Sequence, residues 1–346
     1  MLLALGKVIL APQNFHRGLI MKLPHRRQFL RLAAATAALP IASRAWAEVY
    51  PTRPIRVLVT AGPGSAVDVI PRVVFDQLSS RLGQPIVIEN RAGAGGTIAA
   101  AAVAKAKPDG YTILAASSAH TIAPLLHVKL PYDPVRDLSA IVPLGSLPNV
   151  LVTSPAKGLS TIQAFVAAAK AKPNSFNYTS TGVGSATHMS AERFRLSAGI
   201  EAVHVPVKSG PEALTEILSG RADFYLCPIG TALPFLRDGK LLGLVVSGSK
   251  RAPELPDVPT TSEVGLADAD YTFWIGLFAP SKTPRAIIDR IYNETAAAMR
   301  AASLREKLHA LSVAPMPMGP AEFDAFVRDE ISSNVDLVKA AGIVPS

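Results

Sequence analysis

Strands and helices alternate along most of this chain, and that order limits the possible folds more than any other feature. The first block predicts a strand at Ile55–Val59, a helix at Val67–Leu82 and a strand at Ile86–Glu89. A helix at Thr97–Lys105 and a strand at Tyr111–Ala115 complete it. Strands connected by helices pair in parallel, and the helices cover both faces of the sheet. The block therefore predicts a mostly parallel sheet flanked by helices.

A second block of the same kind follows the stretch Ser117–Asp137, whose three prolines predict irregular structure. Helices separate its predicted strands, which are Asn149–Thr153, Asn177–Thr179, Ala202–Val205, Phe224–Cys227 and Gly243–Ser247. Phe273–Phe278 is then predicted to return to the first sheet, and Pro320–Ala340 to form a last amphipathic helix. Two α/β blocks with a return to the first indicate two lobes around a cleft.

The N-terminal segment has the composition of an export signal. Arg26 and Arg27 precede an apolar stretch, Leu32–Ala42, and the sequence Ala45-Trp46-Ala47 follows. A basic start, a short apolar core and an A-x-A site are typical of a cleaved signal, and the arginine pair indicates the twin-arginine route. We therefore expect residues 1–47 to be an N-terminal extension and signal peptide, and the protein to be periplasmic.

Charge and motifs exclude several classes of protein. Residues 48–346 carry 28 Lys and Arg against 26 Asp and Glu, so the basic balance of the whole chain comes mostly from the signal and predicts no nucleic-acid partner. The glycine run after Arg91 has Ile98 where a dinucleotide-binding motif needs its third glycine. No histidine spacing predicts a metal, and neither a serine-hydrolase motif nor a catalytic carboxylate pair is present. We expect a non-enzyme without metal or cofactor.

The loop that follows the first strand is a candidate anion site. Gly62–Ala66 leads into a helix whose first amides have no partner within the helix, and the helix dipole favours negative charge there. Ser65 and Asp68 are spaced as in a capping box. The alternative is that the loop only turns the chain and Asp68 only caps the helix.

A second candidate loop, Ser180–His188, carries four hydroxyl groups and two glycines directly before a helix. Glycines allow the backbone to approach a ligand closely, and hydroxyls supply uncharged hydrogen bonds. A carboxylate or an amide would suit such a loop. A plain turn capped by Ser185 or Thr187 remains the alternative.

Several motifs together resemble the Bug-type extracytoplasmic solute receptors, the binding proteins of tripartite tricarboxylate transporters. In chain order they are YPTRPIRVLVTAGPGSAVDVIPRV, GQPIVIENRAGAGGTIAAAAVAKAKPDGYTIL, LPYDPVRDL, TSTGVGSATHMSAERF, HVPVKSGPEAL, KRAPELPDVPTTSEVG and WIGLFAPSKTP. The resemblance runs from Tyr50 to the C-terminus. Two departures stand out: Ser65 replaces a glycine of the family pattern, and Val207 replaces an aromatic residue with Ser209 inserted before Gly210.

The resemblance implies a type II, two-lobed Venus-flytrap fold. Lobe 1 would comprise residues 48–148 and 272–346, and lobe 2 residues 149–271. A small organic carboxylate would lie between Ala61–Val67 and Ser180–Ser185, held largely by backbone amides. The expected partners are this ligand and the membrane permease subunits of a tripartite tricarboxylate-type transporter, and the receptor is expected to be a monomer.

The ligand-binding residues expected from these arguments are Gly62, Gly64, Ser65, Ala66, Asp68, Thr97, Ser117, His120, Ser180, Thr181, Gly182, Gly184, Ser185, His188 and Cys227. Cys227 is the only cysteine, so no intramolecular disulfide forms. Two other functions remain open from the sequence. One is a receptor that feeds a signalling protein instead of a permease, and the other is a periplasmic enzyme acting on small acids.

Overall fold

Two five-stranded sheets form the framework of the computed structural model. The structure describes residues 50–248, 250–266, 269–343 and 345. The predicted signal peptide, residues 1–47, lies outside them. The strands of both sheets, in chain order, are β1 Ile55–Val59, β2 Ile86–Asn90, β3 Thr112–Ser117, β4 Leu138–Leu147, β5 Asn149–Thr153, β6 Phe176–Ser180, β7 Ala202–Pro206, β8 Phe224–Pro228, β9 Leu242–Val246 and β10 Phe273–Pro280.

The first sheet has the strand order β2-β1-β3-β10-β4. β1 pairs in parallel with β2 and β3, whereas β10 runs antiparallel to both β3 and β4. The predicted return of the chain to this sheet at Phe273 is therefore confirmed, and the returning strand is the one that runs against the others. Successive residues of β1 pack on opposite faces, Val57 in one hydrophobic cluster and Leu58 in another, as expected for a sheet covered on both sides.

The second sheet repeats this plan with the order β7-β6-β8-β5-β9. β6 is parallel to β7 and β8, and β5 is antiparallel to β8 and β9. Each sheet thus has one strand that runs against the other four. The prediction of two mostly parallel sheets is confirmed.

Helices connect the strands and cover the sheets. They are α1 Ala66–Leu82, α2 Thr97–Ala104, α3 Ala119–Leu126, α4 Ile162–Ala171, α5 Ala186–Ala198, α6 Gly210–Leu218, α7 Ile229–Arg237, α8 Arg285–Arg300, α9 Ala302–Ala310 and α10 Pro320–Ala340. α1 ends where Gly83 takes a left-handed conformation, which is a common helix stop. Among the described residues, no helix is both long and apolar enough to cross a membrane.

Three elements of the structure have no counterpart in the sequence prediction, and two of them contain a proline. The stretch Ser117–Asp137, predicted as irregular, contains α3 with Pro124 inside it. β4 was not predicted and contains Pro143. Proline is tolerated in β4 because this strand lies at the edge of the sheet, where one side needs no hydrogen-bond donors, and the register shifts near Pro143. α9 also has no counterpart in the prediction.

Candidate ligand-binding site

The loop between β1 and α1 is held in place by the side chain of Asp68. The Gly64 amide donates to Asp68 Oδ2 at 2.9 Å, with Gly64 in the left-handed region at φ 76°. Ser65 takes the N-cap position, but its hydroxyl donates to the Gly62 carbonyl at 2.8 Å and makes no cap bond. The predicted capping box is therefore wrong. The serine turns back on the loop, and the acidic residue bonds to Gly64 instead of Ser65.

Asp68 is buried and has further partners. Its Oδ1 accepts from Arg72 Nε at 2.8 Å and from Asn90 Nδ2 at 2.9 Å. Burial alone would raise the pKa of this carboxyl, but the hydrogen bonds from Arg72, Gly64 and Asn90 outweigh burial and lower the pKa. Asp68 therefore stays charged and fixes the loop.

The loop between β6 and α5 is built in the same way with a different side chain. The Gly184 amide donates to His188 Nδ1 at 3.1 Å, and Gly184 has φ 73°. Here the N-cap serine does cap its helix, because Ser185 Oγ accepts from the His188 amide at 3.2 Å. Since Nδ1 is an acceptor, His188 is neutral with its proton on Nε2.

The imidazole of His188 lies in a buried aromatic stack. Its ring is 4.1 Å from that of His204, which in turn is 4.8 Å from the ring of Tyr178. Burial lowers the pKa of His188 to about 4. The nearby charge of Glu192 raises this pKa, and that of Arg195 lowers it. Burial and His188 together lower the pKa of His204 to about 3. Both rings are therefore neutral near pH 7.

Hydroxyl groups crowd the start of α5. Thr187 Oγ1 accepts from the Thr181 amide at 3.1 Å and lies 3.2 Å from both Thr181 Oγ1 and Ser185 Oγ. Tyr225, fully buried on β8, lies close to Thr187. The Thr187 hydroxyl thus ties Thr181 to Ser185 within the loop.

The two loops face a single cavity of about 510 Å³. This volume is in the range typical of sites for small ligands. Ala66 and Val67 of α1 and Ala186 and Thr187 of α5 line it. These residues are the first two of their helices, so their amides have no acceptor within the helix.

The structure brings about half of the expected residues to the cavity wall. Those that line it are Gly62, Ser65, Ala66, Ser117, Thr181, Gly182 and Ser185. Those that do not line it are Gly64, Asp68, Thr97, His120, Ser180, Gly184, His188 and Cys227.

The residues behind the wall have other surroundings. Two pairs of residues fix the loops through the hydrogen bonds described above. They are Gly64 with Asp68, and Gly184 with His188. Ser180 is hydrogen-bonded to His204, with 2.7 Å between Oγ and Nε2. Thr97 is buried as the first residue of α2.

His120 and Cys227 lie in hydrophobic surroundings. The His120 ring packs 4.8 Å from that of Phe278, and burial lowers its pKa to about 4. The Cys227 thiol lies in a core cluster of the second sheet, and burial raises its pKa.

The lining also includes residues outside the expected ligand-binding set, although the sequence analysis had noted Val207 as a departure from the family pattern. Thr187, Val207, Lys208, Tyr225 and Phe273 are among them. The sequence did indicate Thr187 as a candidate, because this residue lies in the hydroxyl-rich loop Ser180–His188. Tyr225 and Phe273 read as ordinary strand residues, and only the strand order places them at the cavity.

Helix N-termini are frequent at the wall of the cavity. First-turn residues of five helices, α1, α3, α5, α6 and α7, line it. Helix N-termini carry partial positive charge. Among the described lining residues there is one charged side chain, Lys208, and no Asp, Glu, Arg or His. No group of three or more potential metal-ligating side chains occurs in the part of the chain that the structure describes.

Known proteins are similar to this chain in sequence and architecture. A family model described as "Tripartite tricarboxylate transporter family receptor" matches residues 70–343. The chain belongs to this receptor family. Protein BugT of Bordetella pertussis is 33% identical over 313 residues, which are 90% of this chain and 95% of BugT.

Solved structures of similar proteins have the same fold as this receptor. Rpa4515 of R. palustris, with adipate, has a TM-score of 0.82 at 29% identity over 86% of this chain and 100% of its own. MatC (Rpa3494) from Rhodopseudomonas palustris, with bound malate, has a TM-score of 0.79 at 32% identity over 84% and 100%. The resemblance and the two-lobed α/β fold expected from the sequence are confirmed.

Proposed function

We propose that this receptor binds a small organic carboxylate in the cavity between β1–α1 and β6–α5 and delivers it to the membrane subunits of a tripartite transporter. The observation that carries the proposal is the pair of equivalent helix N-termini, with free amides at Ala66, Val67, Ala186 and Thr187. A carboxylate placed between them would accept from both loops. The absence of any acidic side chain among the described lining residues supports an anion as the occupant.

The loop after β1 lies close to the segment before α6 on the other side of the cavity. A β-carbon at Gly62 would lie 3.1 Å from the Lys208 carbonyl oxygen, so the loop after β1 nearly touches the segment before α6. Closure of this kind would bury the ligand and present a surface for a membrane partner to bind. The proposed location is the periplasm, reached through the twin-arginine signal, with the receptor acting as a monomer.

Thermal-shift screening of the purified protein tests the carboxylate proposal. The panel contains malate, adipate, citrate and benzoate, together with neutral solutes of similar size such as glucose and glycerol. We expect a concentration-dependent rise in Tm with at least one carboxylate, because a ligand that binds only the folded state stabilises it. Stabilisation by a neutral solute, and by none of the acids, would contradict the proposal.

A further inference from the structure

Each of the two glycine loops contacts a side chain from the opposite lobe. Gly184, in the loop after β6 of the second sheet, faces Leu126, the last residue of α3, which follows β3 of the first sheet. Gly64, in the loop after β1 of the first sheet, faces Pro211 of α6, which follows β7 of the second sheet. The two contacts are therefore reciprocal, and each one joins the lobes.

The approach is so close at Gly184 that it leaves no space for a side chain. A β-carbon there would lie 2.3 Å from Leu126 Cδ1, well inside van der Waals contact. A β-carbon at Gly64 would lie 3.3 Å from Pro211 Cγ. Both glycines also have left-handed backbones, at φ 73° and 76°. We call these two glycines the sockets, and Leu126 and Pro211 the knobs that occupy them.

Leu126 is the more firmly packed of the two knobs. It is 6% exposed and belongs to the same hydrophobic cluster as Ala186 and Met189 of α5, a helix of the second lobe. Pro211 is exposed. Apolar packing thus runs from the first lobe into the second beside Leu126, and separating the lobes would expose part of it to water.

The knobs and sockets lie outside the cavity wall, so they would influence a ligand only through the loops. Gly184 donates the amide that ties its loop to His188, and the next residue, Ser185, lines the cavity. A knob seated on this glycine therefore packs against the backbone that presents the helix amides. Contact between the lobes and the geometry of the loop are connected at one residue.

We infer that these reciprocal contacts latch the two lobes together, and that Leu126 provides most of the latch. The inference rests on the lobe closure in the proposed function and does not depend on which ligand is bound. Leu126 is a positioning residue, because it acts on the cavity through Gly184. Each socket glycine then serves both the turn of its own loop and the docking of the other lobe.

Disulfide trapping across the cavity measures how often the lobes are together, and it needs no ligand. A β-carbon at Gly62 would lie 3.5 Å from that of Ser209, a separation that a disulfide can span. Gly62→Cys with Ser209→Cys is therefore the reporter pair, oxidised with diamide and followed by the loss of free thiols. The native Cys227 is buried, which keeps its thiol unreactive. The reporter leaves Leu126 and Gly184 unchanged.

In this background, Leu126→Ala should slow trapping about fourfold, the effect of losing about one buried methylene from the contact. Gly184→Ala should slow trapping about tenfold or more, because its methyl group would overlap Leu126. Combining the two substitutions makes room for the methyl group, so the double variant should trap faster than Gly184→Ala alone. Gly83→Ala is the matched control: Gly83 has φ 70° and no atom within 4 Å of the added carbon, so trapping should change less than about twofold.

Three results would overturn the inference. They are an unchanged trapping rate in Leu126→Ala, a double variant no faster than Gly184→Ala, and a reporter pair that forms no disulfide. The second result would mean that backbone strain, and not the overlap with Leu126, explains the loss.

The ligand proposal is tested separately by the thermal-shift screen. If every acid fails there while trapping behaves as expected, the carboxylate proposal fails and the latch stands. Circular dichroism and Tm under reducing conditions check that each variant folds. If Gly184→Ala does not fold, the rate for Leu126→Ala alone decides the outcome.

Discussion

The loops before α1 and α5 have one backbone plan and two kinds of chemistry. Both contain the sequence G-x-G-S-A, at residues 62–66 and 182–186, and in both the second glycine is left-handed and donates its amide to the third residue of the helix. That third residue is Asp68 in one loop and His188 in the other. The backbone geometry that exposes the helix amides therefore does not depend on one particular acceptor.

The difference lies in what supports each acceptor. Asp68 is charged and receives three donors, from Gly64, Arg72 and Asn90. His188 is neutral, receives the Gly184 amide and is held by stacking on His204. The first loop depends on a charged hydrogen-bond network, and the second depends on an uncharged ring in a buried stack. Each arrangement should respond to a different perturbation.

Asp68→Ala should produce the largest effect. It leaves the Gly64 amide and two side-chain donors without their acceptor, and we expect the free energy of unfolding to fall by about 3 kcal/mol. Urea denaturation monitored by circular dichroism measures the change. Asp76→Ala, an exposed position on the same helix, is the control and should change stability by less than about 0.5 kcal/mol. Equal losses for the two variants would show that the network around Asp68 is not important.

Acid should weaken the second loop before the first. The pKa of His188 is about 4 in the folded protein and about 6.5 in an unfolded chain, so the unfolded state binds the extra proton as pH falls below 6.5. The stability that neutral His188 contributes near pH 7 is lost between pH 6.5 and 4, by about 3 kcal/mol. The pKa of Asp68 is lowered, so the stability that this carboxylate contributes is lost only below about pH 4, the ordinary pKa of an aspartate.

The comparison of the wild type with His188→Asn isolates this loss. Asparagine keeps an oxygen that can accept from Gly184 but does not titrate. Glu330, whose carboxyl pKa burial raises to about 7, adds a slope of opposite sign that is common to both proteins. The stability difference between them should therefore shrink from pH 7 to pH 4. Urea denaturation at each pH measures the stability of both proteins. Parallel curves of stability against pH for the wild type and His188→Asn would rule out a role for His188 in the acid response.

The two cap serines should give the smallest effects, and the effects should be unequal. Ser185→Ala removes a cap bond to the His188 amide and should cost about 1 kcal/mol. Ser65→Ala removes one neutral bond to Gly62 and should cost about 0.5 kcal/mol, with no change in the order of ligand preference. Denaturation and calorimetry together measure both quantities. A changed ligand preference in Ser65→Ala would mean that this hydroxyl contacts the ligand.

Much of the architecture was predictable because it follows from local patterns. β1 and α10 have the predicted bounds, since their apolar positions recur at the strand and helix periods and their ends carry clear stop signals. α3 and β4 were not predictable, because Pro124 and Pro143 carry a local signal against regular structure. In β4 the edge position outweighs that signal, and strand order is a property of the whole sheet.

The sequence by itself determined the two α/β blocks, the return of Phe273–Phe278 to the first sheet and the two glycine loops. Each of these depends on neighbours within a few residues or on hydrophobic periodicity. Tertiary structure alone decided which side chains line the cavity. The side chains of Asp68 and His188 hydrogen-bond to their own loops and do not line the cavity. Residues distant in sequence line it instead, namely Tyr225, Phe273 and Lys208. Burial and hydrogen-bond partners across the fold fix these orientations, and no local pattern encodes them.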